Sequence, residues 1–277
     1  MAGSEMCFDD LYSKVLSSAL DRDGPARNPA KILVCTTPRT AGHTYCQVLQ
    51  QIGLGIPTEY FQWQYALPLM QRWSSDGTIS RERLDREAAD YGRHLLAKRS
   101  VGGVFAAKLF HQNLDFANRS IGPDDANSFY VFLFRRNKVE QTVSLLSVLY
   151  TGQPFDSDGV LPGIPTLNTI SEKAVRDMVL HIASRGASWR SYLATIDPRR
   201  VACVACEDFV ASPYENARTT MRNWFPTLEL ETSAAATGSR YRNDVAVKTI
   251  IARQFGGLIR ELWRDIPDEM NERPSAP

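Results

Sequence analysis

Four short apolar runs constrain this chain more than any other feature: Ile32–Cys35, Val104–Phe110, Phe129–Phe134 and Arg200–Ala205. Each is rich in Val, Ile, Leu, Phe or Cys, and none alternates with polar residues. A strand with one wet face alternates, whereas a strand covered on both faces does not. The runs therefore read as strands of a parallel sheet, and helical spacing fills the intervals between them. Thr44–Ile52 ends at Gly53, a C′ glycine. Ser80 is an N-cap candidate for a helix with Leu84, Ala88, Tyr91 and Leu95 on one face. A third helical stretch places Val139, Val143, Leu146 and Tyr150 on one stripe. A fourth starts at Ser171 and groups Val175, Met178, Val179 and Ile182, and a last one covers Val245–Trp263. The expected fold is α/β, a parallel sheet flanked by helices.

One domain spanning 1–277 accounts for this pattern, with a core near 31–265, an N-terminal extension 1–30 and a tail 266–277. The Gly-, Pro- and Asp-rich stretch "TGQPFDSDGVLPGIPTLNT" is long enough for a substrate loop or lid. A net charge of +1 gives no sign of a nucleic-acid or membrane-surface binder. The start "MAGSEMCFDD" lacks the basic and apolar blocks of a signal peptide, and no run approaches a membrane span. Five cysteines, an odd number, argue against a disulfide framework, so a cytoplasmic location is expected. Cys203 and Cys206 form a lone C-x-x-C with no second ligand pair at zinc spacing. They read as small apolar residues on a buried strand, and no metal is expected.

The first strand runs into "TTPRTAGHT" and then a helix. A helix N-terminus after a parallel strand offers unpaired N–H groups and a positive dipole end to an anion. Arg39 adds a cationic fork suited to phosphate or sulfate, and Thr40, His43 and Thr44 add donors. Gly42 permits close backbone approach. The loop resembles a nucleotide P-loop in placement only, because it lacks the paired glycines and the Lys-Ser/Thr ending. The third strand ends at Arg135 and Arg136, with Ser144 two helical turns further on. Arginine beside a helix N-terminus calls for a negative partner. Two such cradles at strand carboxyl ends suit a ligand with phosphates at both ends.

In order, "CTTPRTAGHTY", "GIPTEYFQ", "GGVFAAKLF", "FLFRRNKVEQTVSLL" and "CEDFVASP" resemble the bacterial trehalose sulfotransferase family, from about Lys31 to Trp263. The resemblance implies a sulfotransferase fold and 3′-phosphoadenosine 5′-phosphosulfate (PAPS) as sulfuryl donor. It also implies a small-molecule acceptor hydroxyl, on a carbohydrate or other metabolite, and a homodimer. In that family the first loop, usually Arg-Ser-Gly-Ser-Thr, holds the phosphosulfate. Arg39, Thr40, Gly42 and Thr44 match its Arg, Ser, Gly and Thr, and Ala41 stands as an inserted residue. The insertion either turns the amides away from the anion or bulges outward. Arg136 and Ser144 match the superfamily's pair for the 3′-phosphate, and Glu59 matches the proposed catalytic base. Lys108 matches the family's Lys in "GAK" and either helps the leaving group near the bridging oxygen or pairs with a carboxylate, and Arg240 and Arg242 fall where a basic segment closes over the 3′-phosphate.

Glu59 is thus the first candidate base, and packing against Tyr60 and Phe61 is expected to raise its pKa. His111, at the end of the second strand, is its rival. Phe61, Trp63 and Tyr65 either stack on a sugar or fill the core. Two other readings stand beside the sulfotransferase: a nucleotide-dependent phosphotransferase, and a nucleotide-binding module without turnover.

Overall fold

A computed structural model describes residues 15–22, 28–74, 78–122, 126–151, 170–227 and 245–267. The expected strands form as β1 (Ala30–Thr36), β2 (Val104–Phe110), β3 (Ser128–Phe134) and β4 (Val201–Ala205). They pair in the order β2-β1-β3-β4, and every pairing is parallel. Residues Ile32 to Cys35 are fully buried, the burial on both faces that the unbroken apolar run requires.

Helices cover both faces. Ile32 and Val34 pack with Tyr45, Val48 and Leu49 of α1 (Gly42–Gln51), and further helical cover on this face brings Ala217 and Met221. Leu33 and Cys35 face the opposite way, toward α2 (Trp63–Trp73), α3 (Arg81–Arg86), α4 (Ala88–Arg99) and α5 (Leu114–Ile121). A third cluster joins α6 (Lys138–Thr151), α7 (Glu172–Leu193) and the C-terminal helix. After β4 the chain continues through α8 (Cys206–Ala211), α9 (Pro213–Trp224) and α10 (Val245–Arg264). Ala217 and Met221 belong to α9, and Val247 to Trp263 of the third cluster belong to α10.

Several local expectations hold. The Ser80 and Ser171 side chains accept from the amides of Arg83 and Ala174, capping α3 and α7. Gly53 follows α1 with φ +83°, and Leu84, Ala88, Tyr91 and Leu95 are all buried. Two points differ and one alternative is decided. The long charged helix breaks at Glu87 into α3 and α4. Of the aromatics after Glu59, Phe61 and Tyr65 fill the core and the Trp63 ring is tilted against Phe116 at 4.8 Å between centroids. Cys206 opens α8 rather than ending a strand; it is buried and Cys203 half-buried, both as free thiols. The expected lid, 151–169, lies outside the described residues except for the α6 end. Among the described residues no helix is long and apolar enough to cross a membrane.

Strand order sets the position of the site. From β1 the chain moves to β2 on one side, and from β3 to β4 on the other. The loops after β1 and β3 therefore part, leaving a crevice beyond the carboxyl ends of adjacent strands. Thr36, the last residue of β1, is level with Phe110 of β2 and Leu133 of β3, so the three loops start at one height.

The α4–α5 contact is the tightest test of the packing. A Cβ on Gly92 would lie 1.8 Å from the Ser120 carbonyl oxygen and 2.4 Å from its carbon. Gly92→Ala is expected to destabilise by about 2–3 kcal/mol, lowering Tm by roughly 5–10 °C. Gly257→Ala, where a Cβ on α10 meets nothing within 4 Å, is expected to stabilise by about 0.5–1 kcal/mol. Thermal unfolding of both variants checks this, and equal Tm values would contradict it.

Candidate functional site

The loop between β1 and α1 is held in an unusual shape. Arg39 and Ala41 adopt left-handed backbone, with φ of 65° and 61°, although neither is glycine. Such a conformation persists only where its surroundings impose it. Here α6 imposes it. Gln141, fully buried, donates from Nε2 to Thr37 Oγ1 at 3.0 Å and to the Pro38 carbonyl at 2.8 Å. Arg39 Nε donates to Ser144 Oγ at 2.9 Å, and Arg135 Nη1 donates to the Arg39 carbonyl at 3.4 Å. Inside the loop, the Thr40 hydroxyl donates to the Thr37 carbonyl at 2.9 Å.

Ala41 takes up its place as the N-cap of α1. Its carbonyl accepts the Tyr45 amide at 3.0 Å, and its side chain packs on the core under the helix. The amides of Gly42, His43 and Thr44 thus belong to the first turn, which has no intrahelical acceptor for them. Gly42 leaves room for a neighbouring side chain. A Cβ there would lie 2.9 Å from Lys108 Cε and 3.1 Å from Thr36 Cγ2. Lys108 therefore lies directly against the start of α1.

Glu59 meets Lys108 at this point. The segment before it runs along β2, where the Lys108 amide donates to the Thr58 carbonyl at 2.8 Å. Both side chains are buried, and Lys108 Nζ donates to Glu59 Oε1 at 2.5 Å. His43 Nε2 lies 3.3 Å from the same oxygen, and Gln62 Nε2 donates to Oε2. Burial alone would raise the Glu59 carboxyl. Lys108, His43 and the Gln62 amide outweigh it and hold the group below the usual carboxylate range. The expected rise is thus reversed, because Tyr60 and Phe61 turn into the core and leave the carboxyl to its cation. Burial, followed by the charges of Lys108 and Arg39 and opposed by Glu59, lowers His43 to about 3. The imidazole is neutral across the physiological range.

The loop after β3 is differently organised. Arg136 forks onto the Asp208 carboxylate, with Nη1 to Oδ1 at 2.7 Å. Glu207 accepts the Arg136 amide at 3.2 Å and the Asn137 amide at 3.0 Å. The negative partner that this cationic helix start calls for is thus supplied by the first turn of α8. Ser144, sought as the partner of Arg136, is instead bonded to Arg39. The sequence reading missed Gln141, Glu207 and Asp208. A signal for the first existed: α6 carries Gln141, Thr142, Ser144 and Ser147, polar and yet buried, amid apolar residues.

His111 follows β2 and lies edge-on to Trp189 at 5.3 Å. Trp189 Nε1 donates to the Thr36 carbonyl at 3.0 Å, so α7 also braces the loop. Partial burial and Arg185 lower the His111 pKa. Lys138, at the start of α6, is lowered to about 8 by burial and Arg190. Thr44 sits half-buried in the first turn of α1. Arg240 and Arg242 lie outside the described residues. Among the described residues, no three His, Cys, Asp or Glu side chains gather as a metal site.

No family model and no curated protein matches the chain. Among solved structures, it is similar to the sulfotransferase domain from the curacin biosynthetic pathway, at 13% identity and a TM-score of 0.44. That match covers 86% of this chain and 92% of the other. It is also similar to the sulfotransferase STF1 from Mycobacterium tuberculosis, at 13% identity and a TM-score of 0.45, covering 95% of this chain and 79% of the other.

Two substitutions test the geometry. Lys108→Met leaves a buried carboxylate without its cation and is expected to cost about 3–5 kcal/mol at pH 7. Glu59 stability is present above its unfolded value of 4.5 and is lost as pH falls through the lowered folded value. The wild type therefore loses its advantage in acid, and the gap between the two proteins should narrow toward pH 4. Denaturant unfolding at both pH values checks this; a gap independent of pH would contradict it. Gln141→Met keeps the volume but removes both donated bonds, and is expected to cost about 1–3 kcal/mol by the same measurement.

Proposed function

We propose that this chain is a PAPS-dependent sulfotransferase that moves a sulfuryl group to a hydroxyl of a carbohydrate or other small metabolite. The observation that carries the reading is the convergence of Lys108, Glu59 and His43 on the first turn of α1, beside Arg39. Sulfuryl transfer, like phosphoryl transfer, depends on positioning and charge stabilisation more than on covalent chemistry. The site offers both.

The donor set fits a phosphosulfate. It consists of first-turn amides, a fixed guanidinium and a buried ammonium packed where a side chain on Gly42 would intrude. PAPS, when bound, supplies the sulfuryl group and a good leaving group in its phosphate. We assign its phosphosulfate end to Arg39, Thr40 and the amides at Ala41, Gly42, His43 and Thr44. Lys108, near the bridging oxygen, favours the charge that grows there as that bond breaks. The 3′-phosphate we assign to Arg136 and Ser144, with Ser144 giving up its bond from Arg39 when the nucleotide binds. Arg136 then exchanges Asp208 for the phosphate, which replaces one half-exposed ion pair by another at little net cost. The Glu59–His43 pair handles the acceptor's proton. His111, edge-on to Trp189 and facing Arg185, remains the rival base.

Adenosine 3′,5′-bisphosphate, the product nucleotide, tests the reading directly. At a hundred times its Kd it is expected to stabilise the protein by about 2.7 kcal/mol. Stabilisation by ATP–Mg²⁺ alone would point to the phosphotransferase instead. Arg136→Ala is expected to weaken this nucleotide about tenfold or more, while a 5′-phosphorylated analogue without the 3′-phosphate loses far less. Equal losses in calorimetric titration would refute the Arg136 assignment. Transfer itself is read by mass spectrometry, as a sulfuryl gain on metabolites incubated with enzyme and PAPS.

A further inference from the structure

We infer that His43 is the group that takes the acceptor's proton, and that Glu59 acts through it as a positioning residue. The inference rests on the sulfotransferase reading and divides the work within its proton-handling pair.

Glu59 is poorly placed to meet a substrate. Oε1 is shared by Lys108 Nζ at 2.5 Å and His43 Nε2 at 3.3 Å, while Oε2 accepts from Gln62. Its side chain is 10% exposed, whereas that of His43 is 32% exposed. An incoming hydroxyl would have to compete with the Lys108 ammonium at Oε1 or the Gln62 amide at Oε2. His43 sits in the first turn of α1, next to the loop that would hold the donor's reacting end. Nε2 lies 3.3 Å from Glu59 Oε1, and with the ring proton on that nitrogen the lone pair is on Nδ1. A base with a buried carboxylate beside its far nitrogen is the arrangement that recurs in nucleophile–base–carboxylate triads.

The surrounding charge adds timing. Three charged groups face the imidazole: Lys108 from β2, Arg39 from the β1–α1 loop, and Glu59 from the segment after α1. Burial first, and then the two cations, disfavour a positive charge on the ring, so it is a weak base in the free protein. A phosphosulfate on Arg39 and Lys108 neutralises both cations and leaves Glu59 to stabilise an imidazolium. The bound donor thus removes the cations' share of the penalty and makes His43 a stronger base. As the acceptor oxygen bonds to sulfur, its proton passes to His43 Nδ1. The bridging S–O bond breaks, its electron pair stays on the donor's 5′-phosphate, and the imidazolium later releases the proton to solvent.

Imidazole NMR titration of the full chain, with His43→Gln to assign the signal among the four histidines, tests this without turnover. In the free protein the His43 signal should not titrate between about pH 5 and 8; saturating adenosine 3′,5′-bisphosphate should raise its midpoint by at least about one pH unit. His43→Gln should lower kcat by about 10²–10⁴-fold and leave the nucleotide's Kd within about threefold of wild type. A midpoint unmoved by bound nucleotide would overturn the inference. So would a His43→Gln enzyme of near wild-type kcat beside an inactive Glu59→Gln enzyme. If the nucleotide binds neither protein, the sulfotransferase reading fails first and this inference with it.

Discussion

The buried contact between Lys108 and Glu59 is the interaction on which the site depends. An ion pair removed from water is stabilising only when its remaining hydrogen-bonding capacity is met. Glu59 also accepts from Gln62 and lies beside His43, and Lys108 Nζ sits over the Phe110 ring at 4.7 Å. The pair ties three separate parts of the chain together: β2, the segment after α1, and the first turn of α1 itself. A hydrophobic pair of similar volume would hold these elements together as well. Under the proposed function the charge is retained because it lies beside the bound anion and the transferred proton.

A second tie fixes the opposite side of the loop. Gln141 and Ser144, one helical turn apart on α6, hold Thr37, Pro38 and Arg39 from above. Trp189 of α7 holds the end of β1. The two left-handed residues of the loop are therefore positioned before any ligand arrives, which limits the ordering cost of binding. Because β1 and β3 send their loops in opposite directions, α6 can reach across the crevice to the loop beside it. The strand order thus permits the clamp, and the clamp shapes the loop.

The sheet was legible in the sequence because strands covered on both faces must be apolar throughout, and that pattern is local. Caps at Ser80 and Ser171 were legible for the same reason, since a cap is satisfied within a few residues. Glu59 and Lys108 were singled out by resemblance and the loop by its strand–loop–helix pattern, but that the three adjoin was not legible. The direction of the Glu59 shift was misread because Tyr60 and Phe61 adjoin it in sequence, while Lys108 adjoins it only in space. The partners of Arg136 were missed for a similar reason: Glu207 and Asp208 lie some seventy residues on and reach it only through the β3–β4 pairing. Gln141 escaped notice because a polar residue in a helix is ordinarily assigned to the wet face.

The central claim is that one crevice, between the β1–α1 loop and the start of α6, holds a doubly phosphorylated nucleotide. Hydrogen–deuterium exchange of the full chain, with and without adenosine 3′,5′-bisphosphate, tests it most directly. Slower exchange is expected in peptides covering residues 38–44 and 136–144, with the α9 surface unchanged. Protection absent from both segments, or confined to another part of the chain, would contradict the account.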